Sequence, residues 1–133
     1  MLLGFKKQFA GPILDGTKIF TIREKRKVEP KIGETLHMYS GLRTKYCEKI
    51  TSEHKLTGVS SIKMVVSDGK IAILINNKGL NRFEQKVFTT CDGFTNRQSF
   101  IDFWLKDVKP NKFGTRMIVK EDLVIYHWTD FRF

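Results

Sequence analysis

Asp15-Gly16-Thr17-Lys18-Ile19-Phe20-Thr21-Ile22-Arg23 is the stretch from which the rest of the chain is best read. It predicts the end of a short helix, a tight glycine turn and then a strand. Gly16 follows the apolar Ile13 and Leu14, where a helix commonly ends on a left-handed residue that glycine adopts at little cost. Phe20 and Ile22 alternate with Thr21 and Arg23, so a period of two predicts the first pair buried and the second exposed. Lys18 sits at the mouth of the strand, from where its long side chain can swing toward the face carrying Thr21 and Arg23. On a regular strand, residues three apart face opposite sides. Lys18 must therefore precede the strand, or sit on a bulge, to meet Thr21. An amine, a hydroxyl and a guanidinium converging beside a turn form a site for an anionic or carbonyl-bearing group.

Upstream, Leu2 to Lys7 reads as a first strand and Gln8 to Asp15 as a brief helix that tolerates Pro12 only in its first turn. Downstream, Glu24 to Gly33 is a charged loop, and Thr35–Tyr39 alternates as a strand. Ser40 to Lys45 forms a second polar junction. Tyr46 to Lys55 fits both periods weakly and is read as a strand. Asp68-Gly69 between the β-branched runs Ser60–Val66 and Lys70–Ile75 is a strong hairpin signal. Asn81 to Cys91 reads as a short helix. Thr95 is the expected N-cap of a further helix from Asn96 to about Lys106, with Phe94 as its hydrophobic staple. Arg116–Val119 and Leu123–Trp128 read as two closing strands. Many short strands with two or three short helices predict an α+β fold, a small mixed, partly closed β-barrel, in one domain.

The 133 residues carry 24 Lys and Arg against 14 Asp and Glu, a net charge of +10. That excess favours polyanions through counterion release, nucleic acid first among them; the plain alternative is a lysine-coated soluble surface. No apolar run approaches the roughly 20 residues of a membrane helix, and the start is too short for a signal peptide's apolar region. Cys47 and Cys91 match no metal or redox spacing, so a reduced, cytoplasmic chain is expected. His37, His54 and His127 show no metal spacing either, and neither a metal nor a cofactor is expected.

Gly16, Lys18, Thr21 and Arg23 together form the pattern G-x-K-x-x-T-x-R without a gap. Gly33-Glu34 opens the next strand, Gly41 and Arg43 follow it, and Asp92-Gly93-Phe94 precedes the second long helix. In these features the chain resembles the ASCH domain, a relative of the PUA RNA-binding domains. The middle hairpin and the tail after Trp128 carry no mark of that family. The resemblance implies a PUA-like pseudobarrel with a cleft beside the strand-turn, binding RNA or a modified nucleoside. One bacterial branch of similar proteins comprises small amidohydrolases that remove the acetyl group from N4-acetylcytidine with a Lys–Thr–Glu set. By position Lys18 and Thr21 match the first two members. Asp92 is the nearest acidic counterpart of the third, and its shorter side chain is a departure from that branch.

Three readings of function follow: a reader of RNA or of a modified nucleoside, an amidohydrolase acting on an acylated cytidine, and a protein-interaction module using the same basic face. For hydrolysis, Thr21 would supply the nucleophile, Lys18 in its neutral form the base, and Arg23 or a backbone N–H the oxyanion contact. The plain alternative is a threonine on a half-exposed strand between solvated cations. Asp92 would accept from a nucleobase amine, orient Lys18, or merely cap a helix. Arg23 and Arg43 are candidates to fork onto a phosphate or a base carbonyl. Lys25 and Arg26 are candidate phosphate contacts, and Tyr39 a candidate base-stacking ring.

Overall fold

In a computed structural model that describes residues 1–133, the helix, glycine turn and strand follow one another as the opening stretch predicts. The first strand, β1 (Leu2–Phe5), leads through a 3-10 turn at Lys7–Phe9 into α1 (Ala10–Asp15), which ends on Gly16 at φ 85°. Next come β2 (Phe20–Glu24), β3 (His37–Ser40), β4 (Glu48–Thr51), β5 (Gly58–Ser67), β6 (Lys70–Ile75) and the two-residue β7 (Lys78–Gly79). The chain closes with α2 (Arg82–Cys91), α3 (Arg97–Leu105) and β8 (Met117–His127).

The fold is α+β, and its strands form two sheets. One has the order β1-β3-β4, with β1 parallel to β3; the other has the order β2-β8-β5-β6-β7 and is antiparallel throughout. No ladder joins the two sheets, so no closed barrel forms.

Three local expectations are corrected. The two predicted closing strands are one, β8. Lys120-Glu121-Asp122, which looks like a break in the sequence, lies at a register shift where Ile62 pairs with Leu123 and Met64 with Lys120. A bulge accommodates the extra residue, with Glu121 and Asp122 exposed, while the strand continues. The cap of α3 is Asn96, not Thr95. The Asn96 side chain accepts the Ser99 N–H at 2.8 Å, and Ser99 Oγ accepts the Asn96 N–H at 3.2 Å, so the amide and the serine satisfy each other. Thr21 is buried rather than exposed, and Arg23 is half-buried, because β1 and the end of α2 cover the second face of β2. The alternation itself is real; its polar face is simply not turned to bulk water.

The core is one apolar cluster in which aromatic rings run from sheet to helices. Phe20 of β2 packs on Phe88 of α2 at 4.9 Å between centroids, and Phe88 meets Phe100 of α3 edge-on at 6.1 Å. Phe94 touches Phe100, the fourth residue of α3, at 5.3 Å; with Asn96 as the cap it makes this contact from one residue further out than the staple position. Such pairs add roughly 0.5–1.5 kcal/mol beyond area burial. They fix α2 and α3 against β2, and so determine what surrounds Lys18.

His127 is the titratable group of this core. It is buried, with Nε2 2.9 Å from Ser60 Oγ, and burial together with the positive Arg132 lowers its pKa from 6.5 to about 4. Between those values the unfolded chain binds the proton more readily, so stability is present above pH 6.5 and falls as pH drops through the window. One proton gives a slope of at most about 1.4 kcal/mol per pH unit. Urea unfolding at pH 7 and pH 5.2 should show this loss, and His127→Gln should flatten it.

Candidate functional site

The site begins with how residues 17–19 are tied down. Thr17 N–H donates to Asp15 Oδ1 at 2.8 Å and Lys18 N–H to the Pro12 carbonyl at 2.9 Å, which turns the chain back over α1. Ile19 N–H then donates to the Cys91 carbonyl at 2.9 Å. That bond draws the last turn of α2 alongside the residue preceding β2. Lys18 is thus not a strand residue, which meets the requirement for it to share a side with Thr21.

Lys18 Nζ donates to Asp92 Oδ1 at 2.6 Å and to the Asp92 carbonyl oxygen at 2.7 Å. Both residues are almost wholly inaccessible, at 2% and 4% exposure. Burial pushes the Lys18 ammonium below its ordinary pKa and the Asp92 carboxyl above its own, and each partner's charge opposes the other's shift. The ammonium also lies 4.8 Å from the centroid of Phe9. Gly93, at φ 94°, makes the approach possible: a Cβ there would stand 3.0 Å from Lys18 Cδ and 3.1 Å from Phe9.

Around this pair lies a cavity of about 220 Å³. Lys18, Thr21, Arg23 and Asp92 all line it, so four of the expected residues do share one hollow. Its apolar walls are Phe5, Phe9, Ile22, Phe94, Phe103 and Trp104. Arg23 donates from Nη2 to the Gly4 carbonyl at 2.6 Å and from Nε to Thr21 Oγ1 at 3.2 Å, with its guanidinium carbon 4.8 Å from the Phe5 centroid. Thr21 therefore accepts from Arg23 and keeps its own hydroxyl proton uncommitted. Asp92 Oδ2 accepts no hydrogen bond within the chain, and one of the three Lys18 protons has no hydrogen-bond partner. Trp104 Nε1 is the one buried side-chain polar atom with no partner at all.

The other four candidates lie elsewhere. Tyr39 is half-buried in β3, paired across from Gly4 and Lys49, and does not reach the cavity. Arg43 is exposed at φ 66° in the loop after β3. Lys25 and Arg26 continue beyond the end of β2, where Arg26 donates to the Leu2 carbonyl at 2.9 Å. The four residues expected to line the cleft, Lys18, Thr21, Arg23 and Asp92, are the ones that line this cavity, and Arg43, Lys25, Arg26 and Tyr39 do not line it. Tyr39 is held in the three-stranded sheet, and Arg43, Lys25 and Arg26 lie in loops outside the cavity lining.

The aromatic walls are what sequence reading missed. Phe9, Phe103 and Trp104 sit at helical spacings that mark a core stripe, and only the fold turns their edges toward a hollow. No group of three or more His, Cys, Asp or Glu side chains is placed to hold a metal ion. Cys47 and Cys91 are free thiols, and burial raises the pKa of Cys91. No helix is long and apolar enough to cross a membrane. Comparison with family models, with curated proteins and with solved structures finds no match to this chain.

Removing one partner of a buried ion pair leaves the other charge uncompensated, at a cost of about 3–5 kcal/mol. Lys18→Met and Asp92→Leu should each lower the urea-unfolding free energy by that order. The double variant Lys18→Met/Asp92→Leu should recover most of the loss, and the double-mutant cycle measures the coupling.

Proposed function

We propose that the cavity receives a single nucleobase, of RNA or of a modified nucleoside, in an ASCH-like domain with an open PUA-like pseudobarrel. The observation that carries this reading is a hydrogen-bonding Lys18–Asp92–Thr21–Arg23 group enclosed by aromatic rings. A base needs flat apolar walls and a few donors and acceptors at its edge. Phe5, Phe9, Phe94, Phe103 and Trp104 supply the walls. Asp92 Oδ2 is an acceptor for an exocyclic amine or amide N–H; the free protons of Arg23 and Lys18 are donors for ring or acyl carbonyls. A volume near 220 Å³ lies below the roughly 300 Å³ at which drug-sized pockets begin, so it suits one ring system with a small substituent. The net charge of +10 agrees with an anionic backbone outside the cavity. The G-x-K-x-x-T-x-R stretch and its resemblance to the ASCH family support the same conclusion.

Hydrolysis of an N4-acyl group is the second reading, favoured by one observation: burial lowers the pKa of Lys18 in the same hollow as Thr21. Against it, Lys18 Nζ hydrogen-bonds to Asp92, and Thr21 Oγ1 has Arg23 Nε as its partner, so the hydroxyl has no base in contact. Recognition therefore stands ahead of turnover.

Isothermal titration with N4-acetylcytidine, cytidine and uridine distinguishes the readings. Binding of one nucleoside per chain, weakened about tenfold or more by Arg23→Met, is the expected result. Chromatography of the same mixtures should show no released acetate. Acetate release that Thr21→Val abolishes would replace recognition by hydrolysis, and binding of no nucleoside or RNA would leave the basic face to a protein partner.

A further inference from the structure

Gly4, Phe5 and Lys6 line two hollows at once. On one side is the aromatic cavity; on the other a groove of about 760 Å³ runs past Lys7, the residues Ser40 to Leu42, Tyr46 and Glu48. The loop between β3 and β4 forms the outer wall of this groove, and it is closely braced. Thr44 donates to the Gly41 carbonyl from both its N–H, at 3.0 Å, and its hydroxyl, at 2.6 Å. Thr44 Oγ1 in turn accepts the Tyr46 N–H at 3.1 Å, and the Cys47 N–H donates to the Thr44 carbonyl at 3.3 Å. Gly41 lies at φ 61°, and a Cβ there would stand 2.8 Å from the Tyr46 carbonyl oxygen.

The bracing holds Tyr46 out from the surface. Its ring is 72% exposed, with the Lys45 ammonium 5.1 Å from its centroid. Lys6 and Lys7 face the same groove, in which Glu48 is the single acid. An exposed aromatic on a fixed loop, flanked by cations, is the arrangement on which single-stranded nucleic acid stacks its bases and rests its phosphates.

We propose that the groove holds the neighbouring nucleotide of a single RNA strand whose recognised base occupies the cavity. Tyr46 stacks on that second base, and Lys6 and Lys7 meet the phosphate joining the two nucleotides. The inference rests on the reading of the cavity as a base pocket and names its substrate: the recognised base is presented within a strand rather than as a free nucleoside. The two hollows share Gly4, Phe5 and Lys6 as a common wall, which puts the groove one nucleotide away from the cavity along that strand.

The test compares a uridine-rich ribopentamer carrying central N4-acetylcytidine with the free nucleoside N4-acetylcytidine, each by titration calorimetry at several salt concentrations. The pentamer should bind at least roughly tenfold more tightly. Tyr46→Ala removes a surface ring and should weaken the pentamer by about tenfold while leaving the nucleoside unchanged. Lys7→Ala should reduce the salt slope of pentamer binding by about 0.7, the value for one phosphate on a single strand. Gly41→Ala, which displaces the Tyr46 backbone, should act like Tyr46→Ala. Equal affinities for pentamer and nucleoside, or a pentamer affinity indifferent to Tyr46→Ala, would overturn the groove and leave the cavity reading intact. Failure of both probes to bind would overturn both.

Discussion

The buried contact between Lys18 and Asp92 is the constraint on which the site and much of its surroundings depend. Taking both ions out of water costs several kcal/mol each, and mutual attraction offsets this only where the geometry is short and further hydrogen bonds are made. The chain meets that condition twice over, since the ammonium reaches both the carboxylate and the backbone carbonyl of one residue. The pair joins residues 74 positions apart and so locks the N-terminal helix-turn to the end of α2. Gly93 must be a glycine for the lysine stem to pass, and Ile19 must donate to Cys91 for the two segments to lie in register. An apolar pair could hold these elements together at less cost in desolvation. Retaining charge at this point keeps polar groups where aromatic walls exclude most of the solvent.

That combination decides what the cavity can select. Every polar group of the Lys18–Asp92–Thr21–Arg23 set is bonded inside the protein and keeps some hydrogen-bonding capacity: Asp92 an oxygen, Lys18 a proton, Thr21 its hydroxyl hydrogen, Arg23 part of its fork. Such groups are held in fixed orientations by their internal bonds, so little conformational freedom is lost when a ligand arrives. The cations would draw in any anion, but the phenylalanine rings of the walls offer a phosphate no hydrogen-bonding partners and would favour a flat, partly apolar group. Trp104 Nε1 fits the same picture. A buried indole donor without an acceptor is destabilising by about 1–3 kcal/mol, and its place beside the cavity marks where the protein tolerates that loss.

The helix-turn-strand was legible because each of its signals is local. Glycine after an apolar pair and the Asp68-Gly69 hairpin are set by neighbours in sequence and appear where expected, and the Phe20 to Arg23 strand forms there too, although Thr21 is buried and Arg23 half-buried. The capping residue of α3 was misjudged by one position because Thr95 and Asn96 are both good caps, and only Ser99 three residues after Asn96 completes the box. The break predicted in β8 is a bulge because cross-strand pairing with β5 outweighs the poor strand propensity of three charged residues. Burial of Thr21 could not be read at all. It depends on β1 and α2 closing over β2, which are contacts between distant segments. Lys18, Thr21 and Arg23 were recognisable together from their local spacing and Asp92 from the family resemblance, whereas the rings enclosing them depend on contacts between distant segments.

The strand-turn also explains why the charge of this protein is divided in two. Inside, Lys18 is matched by Asp92, whereas Arg23 has no acid paired with it, so the cavity holds one unbalanced cation among oriented groups. Outside, Lys6, Lys7, Lys45 and Arg43 are exposed and make no salt bridge, so they act as long-range attraction that salt screens. A ligand consisting of a base alone would use the first set and leave the second idle. A phosphate alone would use the second and leave the ring walls of the first unmatched. A molecule that is flat and hydrogen-bonding at one point and anionic alongside would engage both, and the proposed nucleotide within a strand has that form.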